Sequence, residues 1–434
     1  MIRRANWGAC AAGLIALAGC STLLGIGNPE YALVDAGGDG TDGPLSADDA
    51  GTDAPDADAL APIPCPAKPQ TNVVYVDPVR GASTAAGTCQ APLRTITAAI
   101  AVVENAPATF DTIALQPGTY ATETNGEAFP LVLPRAVTLQ GSSASAVTIR
   151  GGRLDSGISD CAVSVPKDLV TLRDVTITGK GGAQGVCVAG AGENILRVSA
   201  IESDGHGLMV TGGKVDVQDS TFAYNAGYGL LAQGSAVLTL TNMEASHNAR
   251  DGLSLFNTAQ VTSTGSRFSL NGTGVACRND SQLTSTNDRF SANTQVGLSI
   301  GDATGGLLAV TLTGATFDAN LGSGVDVVYG KVTARDSAFT NNGLHGVRLA
   351  NFPSAGIDLG KTGSAGNNHF AGNTGAGVCL DWMGTGLPPS IEVSGNHFPV
   401  CPATQSGVSC SKFDLGRLSS QGAIVPPGPA SSAP

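Results

Sequence analysis

Residues 222–255 read FAYNAGYGLLAQGSAVLTLTNMEASHNARDGLSL, and one pattern is written twice within them. An apolar anchor, Phe222 or Ala245, is followed three residues later by Asn225 or Asn248, then by Gly229 or Gly252 opening an apolar-x-apolar step. Followed outward in both directions, the anchors are Ile177, Ile201, Phe222, Ala245, Phe268, Phe290, Phe317, Phe339 and Phe370. The polar residue three places on is Lys180, Asp204, Asn225, Asn248, Asn271, Asn293, Asn320, Asn342 or Asn373. Anchors recur every 21 to 27 residues, with one interval of 31. Periods of this length belong to solenoids, in which equivalent side chains of successive coils stack on one another.

One unit predicts a strand at Gly229–Ala232, a turn at Gln233–Ser235, a second strand at Leu238–Leu240 and a turn closing at Asn248. Period-2 alternation points Leu208, Leu230, Leu253, Val275, Leu298, Val325, Val347 and Val378 inward, one per coil. Val217, Leu240, Ser263, Ser285, Leu312 and Ala334 form a second inward column. Successive strands must then be parallel, and such crossovers are right-handed. The Asn column follows from stacking: amides about 4.8 Å apart pair donor to acceptor along the axis, and Asn tolerates the left-handed turn. Phe anchors read as a buried stack. A leucine-rich repeat shares the period and an Asn ladder, but it needs several Leu per repeat and often a helical back, both missing here. The expected fold is all-β, a right-handed single-stranded parallel β-helix with a short N-terminal capping helix.

Aromatics make up only 5% of the 434 residues while Gly reaches 59, so burial must rest on small and β-branched side chains. The net charge of −12 is concentrated in one place. Nine of the 35 carboxylates lie between Glu30 and Asp58 with no Lys or Arg among them; setting these aside with Arg3 and Arg4 leaves 26 acidic and 21 basic residues. No basic stripe remains, which argues against nucleic acid as a partner.

Residues 1–19 read as a leader: Arg3 and Arg4, an apolar run, then Leu17-Ala18-Gly19-Cys20. This ending resembles a bacterial lipoprotein lipobox, which implies lipid attachment at Cys20, and Ser21 resembles an outer-membrane sorting signal. Residues 20–64 have the composition of an acidic disordered tether and 413–434 that of a Pro/Ser tail. Residues 65–150 are expected to form the N-terminal cap and first coils, and 151–412 the repeats. Outside the cytoplasm disulfides are permitted. Cys65 with Cys89, Cys161 with Cys187, and Cys401 with Cys379 or Cys410 fit one-coil separations, while Cys277 reads as a buried free thiol. No CxxC or Cys/His metal spacing occurs, so neither a metal nor a cofactor is expected.

The N-terminal elements are a Val73–Asp77 strand, a Gly87–Pro92 loop, a helix over Thr97–Val103, a strand at Asp111–Leu115, a Pro117-Gly118-Thr119-Tyr120 turn and Val137–Gly141. This order, with its Tyr-Val-Asp, Gly-Thr-x-x-x-Pro, Thr-Ile-x-x-Ala and Pro-Gly-Thr-Tyr motifs, resembles the DUF1565 family of bacterial β-helix proteins in the pectin-lyase-like superfamily. The resemblance implies a fold and no activity.

Polysaccharide enzymes of such folds set the enzyme hypothesis. A hydrolase needs two carboxylates in adjacent coils. Gly205-His206-Gly207 is similar to one polygalacturonase motif, but its companions are absent and Asp48-Asp49 lies in the tether. A calcium-dependent lyase needs converging acids, yet Asp204, Asp251, Asp280 and Asp288 occupy different coil positions. The position before the Gly, filled by His206, Tyr228, Asp251, Thr273, Val296, Ser323, His345 and Ala376, reads as a solvent-facing corner. Arg267 and Arg289 read as a solvated face. An outward column of Cys187, Met209, Leu231, Ser254, Ala276, Ser299, Asp326, Arg348 and Cys379 predicts an Asp326–Arg348 ion pair and an exposed apolar spot at Met209 and Leu231. Asp204, His206, Tyr224 and Tyr228 form the one candidate binding patch. The expected role is a monomeric envelope lipoprotein, non-catalytic, in envelope structure, adhesion or binding of an extracellular polysaccharide or surface protein. The alternative is a polysaccharide lyase or glycoside hydrolase.

Overall fold

A computed structural model of the chain describes residues 64–68, 70–152, 160–301, 308–350, 357–361, 363–381, 393–398 and 413–416. Cys20, Cys401 and Cys410 lie outside them, as do the leader and nearly all of the tether. The chain winds through three parallel sheets of 12, 12 and 11 strands. Sheet A runs from Val73–Val76 to Ile357–Asp358, sheet B from Gly118–Tyr120 to His369–Ala371, and sheet C from Leu131–Val132 to Phe413–Gly416. Sheet C therefore continues four residues past the boundary expected at 412. This is the right-handed parallel β-helix that the repeat predicts.

The one long helix among the described residues, Ile96–Asn105, lies near their N-terminal end and buries Ile96, Ala99, Ile100 and Val103. Thr95 caps it by accepting from the Ala98 N–H. Glu127, 1% exposed, does more: its carboxylate accepts from the N–H groups of Ile96 (2.7 Å) and Thr97 (2.9 Å) and from the Thr97 hydroxyl (2.6 Å). A buried negative charge thus meets the free donors and positive end of the helix dipole. No helix among the described residues is long and apolar enough to cross a membrane.

Both inward columns form as the alternation requires, Leu208 pairing with Leu230 and so on to Val378, and Val217 with Leu240 through to Ala334. Phe268, Phe290, Phe317, Phe339, Phe370 and Phe398 stack with centroids 4.5 to 5.2 Å apart. Five of them are completely buried, so the Phe column is core.

The Asn ladder runs from Asn225 to Asn373 in the turns from sheet B to sheet C. In each turn the Asn side-chain oxygen accepts from the backbone N–H of the preceding ladder residue, at 3.0 to 3.2 Å. Its start differs from the sequence reading. Ile177 pairs with Ala200 and Ala200 with Phe222, so the anchor is Ala200 rather than Ile201. Ser203 then takes the ladder position: its hydroxyl accepts from the Gly179 N–H and its own N–H donates to Asn225. Asp204 is displaced to the surface, and Lys180 is part of no ladder.

A second ladder lies in the turns from sheet A to sheet B, two residues before the anchors. Ser220, Ser266, Asp288, Ser337, Asn368 and Asn396 each accept a backbone N–H from the coil before. Asp288 is 1% exposed, and burial pushes its carboxyl pKa up.

Cys65–Cys89 and Cys161–Cys187 are disulfides. Cys277 is a buried free thiol and Cys379 is buried. The outward column of sheet C is not the open face expected. Leu231 is only 7% exposed, Ala276 1% and Ser254 0%, so no exposed apolar spot exists at Leu231. Arg278 explains part of the cover: it bonds Ser254, pairs with Asp251 at 3.2 Å and lies 4.8 Å from the Phe256 ring centroid. The Asp326–Arg348 pair forms at 3.4 Å.

Candidate functional site

The turns from sheet B to sheet C carry the candidate patch because the Asn ladder fixes their shape. The residue before each ladder position adopts the left-handed region: Glu202 (φ 53°), Tyr224 (57°), His247 (55°) and Leu270 (58°). Bulky residues are uncommon there. The conformation throws these side chains outward, and Tyr224 is 57% exposed.

Two stacks cross the coils. Tyr224 and His247 face each other with ring centroids 4.6 Å apart at 15°. His206 and Tyr228 stack at 4.8 Å and 28°, and the Arg250 guanidinium lies 5.5 Å from the Tyr228 centroid. A cation over an aromatic face is favourable by about 0.5–1 kcal/mol at exposed sites. Asp204 joins neither stack; it accepts from the Gly182 N–H at 3.1 Å and lies 4.0 Å from the Lys180 ammonium. Of the four expected residues, the structure therefore groups His206 with Tyr228, pairs Tyr224 with His247, and sets Asp204 to one side. His247 escapes the sequence reading although it stands in the same column as Tyr224, two residues after an anchor.

His206 is a corner residue. Its Nδ1 accepts from the Tyr228 backbone N–H at 3.0 Å, and the His206 backbone N–H donates to the Gln184 side-chain oxygen. Burial first, and then the charge of Arg250, lower its pKa to about 4. It is thus neutral near pH 7, with its one ring proton on Nε2, and lacks the second proton that an imidazolium would offer as a general acid. The geometry repeats at His345, 7% exposed, whose Nδ1 accepts from the Ala376 N–H at 3.0 Å. The position before the Gly is accordingly not a solvent-facing corner: Asp251, Thr273, Ser323, His345 and Ala376 are all buried there.

Among the described residues no three of His, Cys, Asp and Glu are placed to hold a metal ion. Asp251 is bound to Arg278, although burial raises its pKa. Arg267 and Arg289 do occupy paired positions on sheet B, and Arg289 reaches Asp318 at 2.9 Å. The patch offers aromatic faces, an imidazole edge and one exposed guanidinium, which are binding groups.

Three parallel sheets with a polar turn ladder describe the fold, and the family model for a right-handed beta helix region matches residues 157–310 and 206–375. The chain belongs to that right-handed beta helix family. The A-module of a mannuronan C-5 epimerase of Azotobacter vinelandii has a similar structure, with 19% identity over 69% of this chain and 85% of that one, at a TM-score of 0.50. A pectate lyase structure is 17% identical over 75% of this chain and 78% of that one, at 0.49. A periplasmic alginate epimerase is 12% identical over 67% and 73%, at 0.44. These likenesses concern the β-helix fold alone. No curated protein sequence matches the chain.

Proposed function

We propose that this protein is an envelope lipoprotein whose β-helix binds an extracellular polysaccharide without cleaving it. The carrying observation is the pair of cross-coil stacks, Tyr224 with His247 and His206 with Tyr228 beneath Arg250, on neighbouring turns. Aromatic faces suit the apolar faces of sugar rings, and the guanidinium suits a carboxylate on an acidic sugar. Coils about 4.8 Å apart present these groups along a line, as an extended polymer does. The candidate patch itself holds a single carboxylate, Asp204, where a hydrolase needs two.

In this reading the mature chain begins at an acylated Cys20, residues 20–64 tether the β-helix, and residues 65–150 form a DUF1565-like cap. The protein acts as a monomer at the outer membrane. The two disulfides support a location outside the cytoplasm.

A glycan array probed with the full chain, paired with reducing-sugar and unsaturated-uronate assays, tests the reading. Binding without turnover is expected, and Tyr224→Ala, Tyr228→Ala and Arg250→Ala should each weaken it about tenfold, roughly the 1–2 kcal/mol of a stacked or paired contact. Turnover of any polysaccharide supports an enzyme instead. Mass spectrometry of the mature protein, with and without globomycin, checks the anchor, and an unmodified Cys20 removes it.

A further inference from the structure

The outer face of sheet A carries a different surface. In four successive strands, Val237–Thr241, Gln260–Thr264, Gln282–Thr286 and Ala309–Thr313, the third and fifth residues are all threonine. They pair without a register slip: Thr239, Thr262, Thr284 and Thr311 in one column, Thr241, Thr264, Thr286 and Thr313 in the next. The alternate residues, such as Leu238 and Leu240, fill the core. All eight threonines are partly or fully exposed, and among the described residues none of their hydroxyls is engaged by another protein group. The doubled array ends at Asp216 and Gln218, beside Thr239 and Thr241, and at Arg335 beside Thr313, while Thr333 beside Thr311 extends one column by a coil.

Strand propensity does not by itself demand this composition. The corresponding outer column of sheet B reads Thr221, Glu244, Arg267, Arg289 and Thr316. On sheet A the result is a neutral rectangular net, about 4.8 Å between coils and about 6.6 Å along each strand. Every node carries one hydroxyl and one methyl. Threonine is stiff at χ1, so these groups are held in place before any ligand arrives.

Such a net lacks the aromatic plates and multidentate groups that grip a single sugar chain. Its weak contacts add up only against a partner that repeats in the same two directions. Ice is such a partner: uncharged, present wherever water freezes, with oxygens repeating at distances of this order. Against such a lattice each hydroxyl can donate and accept a hydrogen bond, while each methyl removes apolar surface from liquid water. We propose that the threonine net of sheet A is an ice-binding face. Four coils span only roughly 14 Å, so the activity shows as adsorption and inhibition of recrystallisation rather than a large freezing hysteresis.

The test is incorporation of the fluorescently labelled full chain into slowly growing ice. The wild-type chain is expected to enter the ice, Thr262→Tyr and Thr284→Tyr to reduce entry at least fivefold, and Arg267→Ala on sheet B to leave it unchanged. Thr284→Lys replaces any tyrosine variant that fails to fold by circular dichroism. Exclusion of the wild-type chain overturns the proposal, as does wild-type entry by the threonine variants. Adsorption to crystalline cellulose with exclusion from ice overturns it in favour of a polysaccharide face. Tyr224→Ala separates the two readings, because it should weaken glycan binding and leave entry into ice untouched.

Discussion

Asn271 occupies the middle of a buried ladder, and its side chain satisfies three groups at once. Its Oδ1 accepts from both the backbone N–H and the Nδ2 of Asn248 at 3.0 Å, and its Nδ2 donates to the Ala245 carbonyl at 2.9 Å. Asn271→Ala strands those partners where no water reaches them, at about 1–3 kcal/mol for each group left unsatisfied. The expected loss is about 3 kcal/mol or more, measured by denaturant unfolding. Ser203 shows that a hydroxyl can serve the backbone part of the position, so Asn271→Ser should lose clearly less; equal losses would mean that the amide chain, not the backbone bond, carries the stability. His206 makes the other residue-scale prediction. Its folded pKa of about 4 lies below the ordinary 6.5. Its contribution to stability is therefore fully present above pH 6.5 and is lost as pH falls through about 4. NMR should find His206 titrating near 4, with Arg250→Ala moving it upward, and a titration near 6.5 in the wild-type chain would contradict the buried corner.

At the scale of elements, strands were legible wherever one residue type repeated. Phe268, Phe290, Phe317, Phe339 and Phe370 declare their column because a stack of like rings tolerates little else. Ala200 does not, since methyl-sized anchors look like any surface alanine, and Ile201 beside it has the stronger apolar signature. That single ambiguity moves the ladder assignment from Ser203 to Asp204. The second ladder is hidden for a related reason: Ser220, Asp288 and Asn368 share an acceptor oxygen but no common side chain. Within the candidate site, Tyr224 and Tyr228 follow from counting along the repeat. Arg250 over Tyr228 depends on a side-chain direction that no spacing encodes. The helix is readable over Thr97–Val103 from composition and extends over Ile96–Asn105, but its carboxylate cap comes from a residue about thirty positions away. Glu127→Ala removes the acceptor of two backbone donors and one hydroxyl in a buried place. A loss of about 2–4 kcal/mol is expected from those unsatisfied groups, with faster amide exchange confined to the first turn. Unchanged exchange there would show that Thr95 alone suffices as the cap.

For the whole molecule, each coil is bonded only to its neighbours, so stability is a sum of local interfaces more than a single cooperative core. Two lesions at different places should then have separable effects. Reducing Cys161–Cys187, which closes a loop of 26 residues, removes about 3–4 kcal/mol of constraint on the unfolded chain. Phe317→Ala opens the Phe stack between neighbours at 4.5 and 5.0 Å and costs about 3–5 kcal/mol through lost burial and an unfilled cavity. In a globally two-state protein both changes would raise amide exchange everywhere by similar factors. In a solenoid, reduction should accelerate exchange chiefly in the coils flanking residues 161–187, and Phe317→Ala chiefly in those between Phe290 and Phe339. Peptide-resolved hydrogen exchange distinguishes the two. Uniform acceleration by either lesion would mean that the ladders couple all the coils into one cooperative unit, and the Tyr224 and threonine faces would then have to be treated as parts of one rigid body.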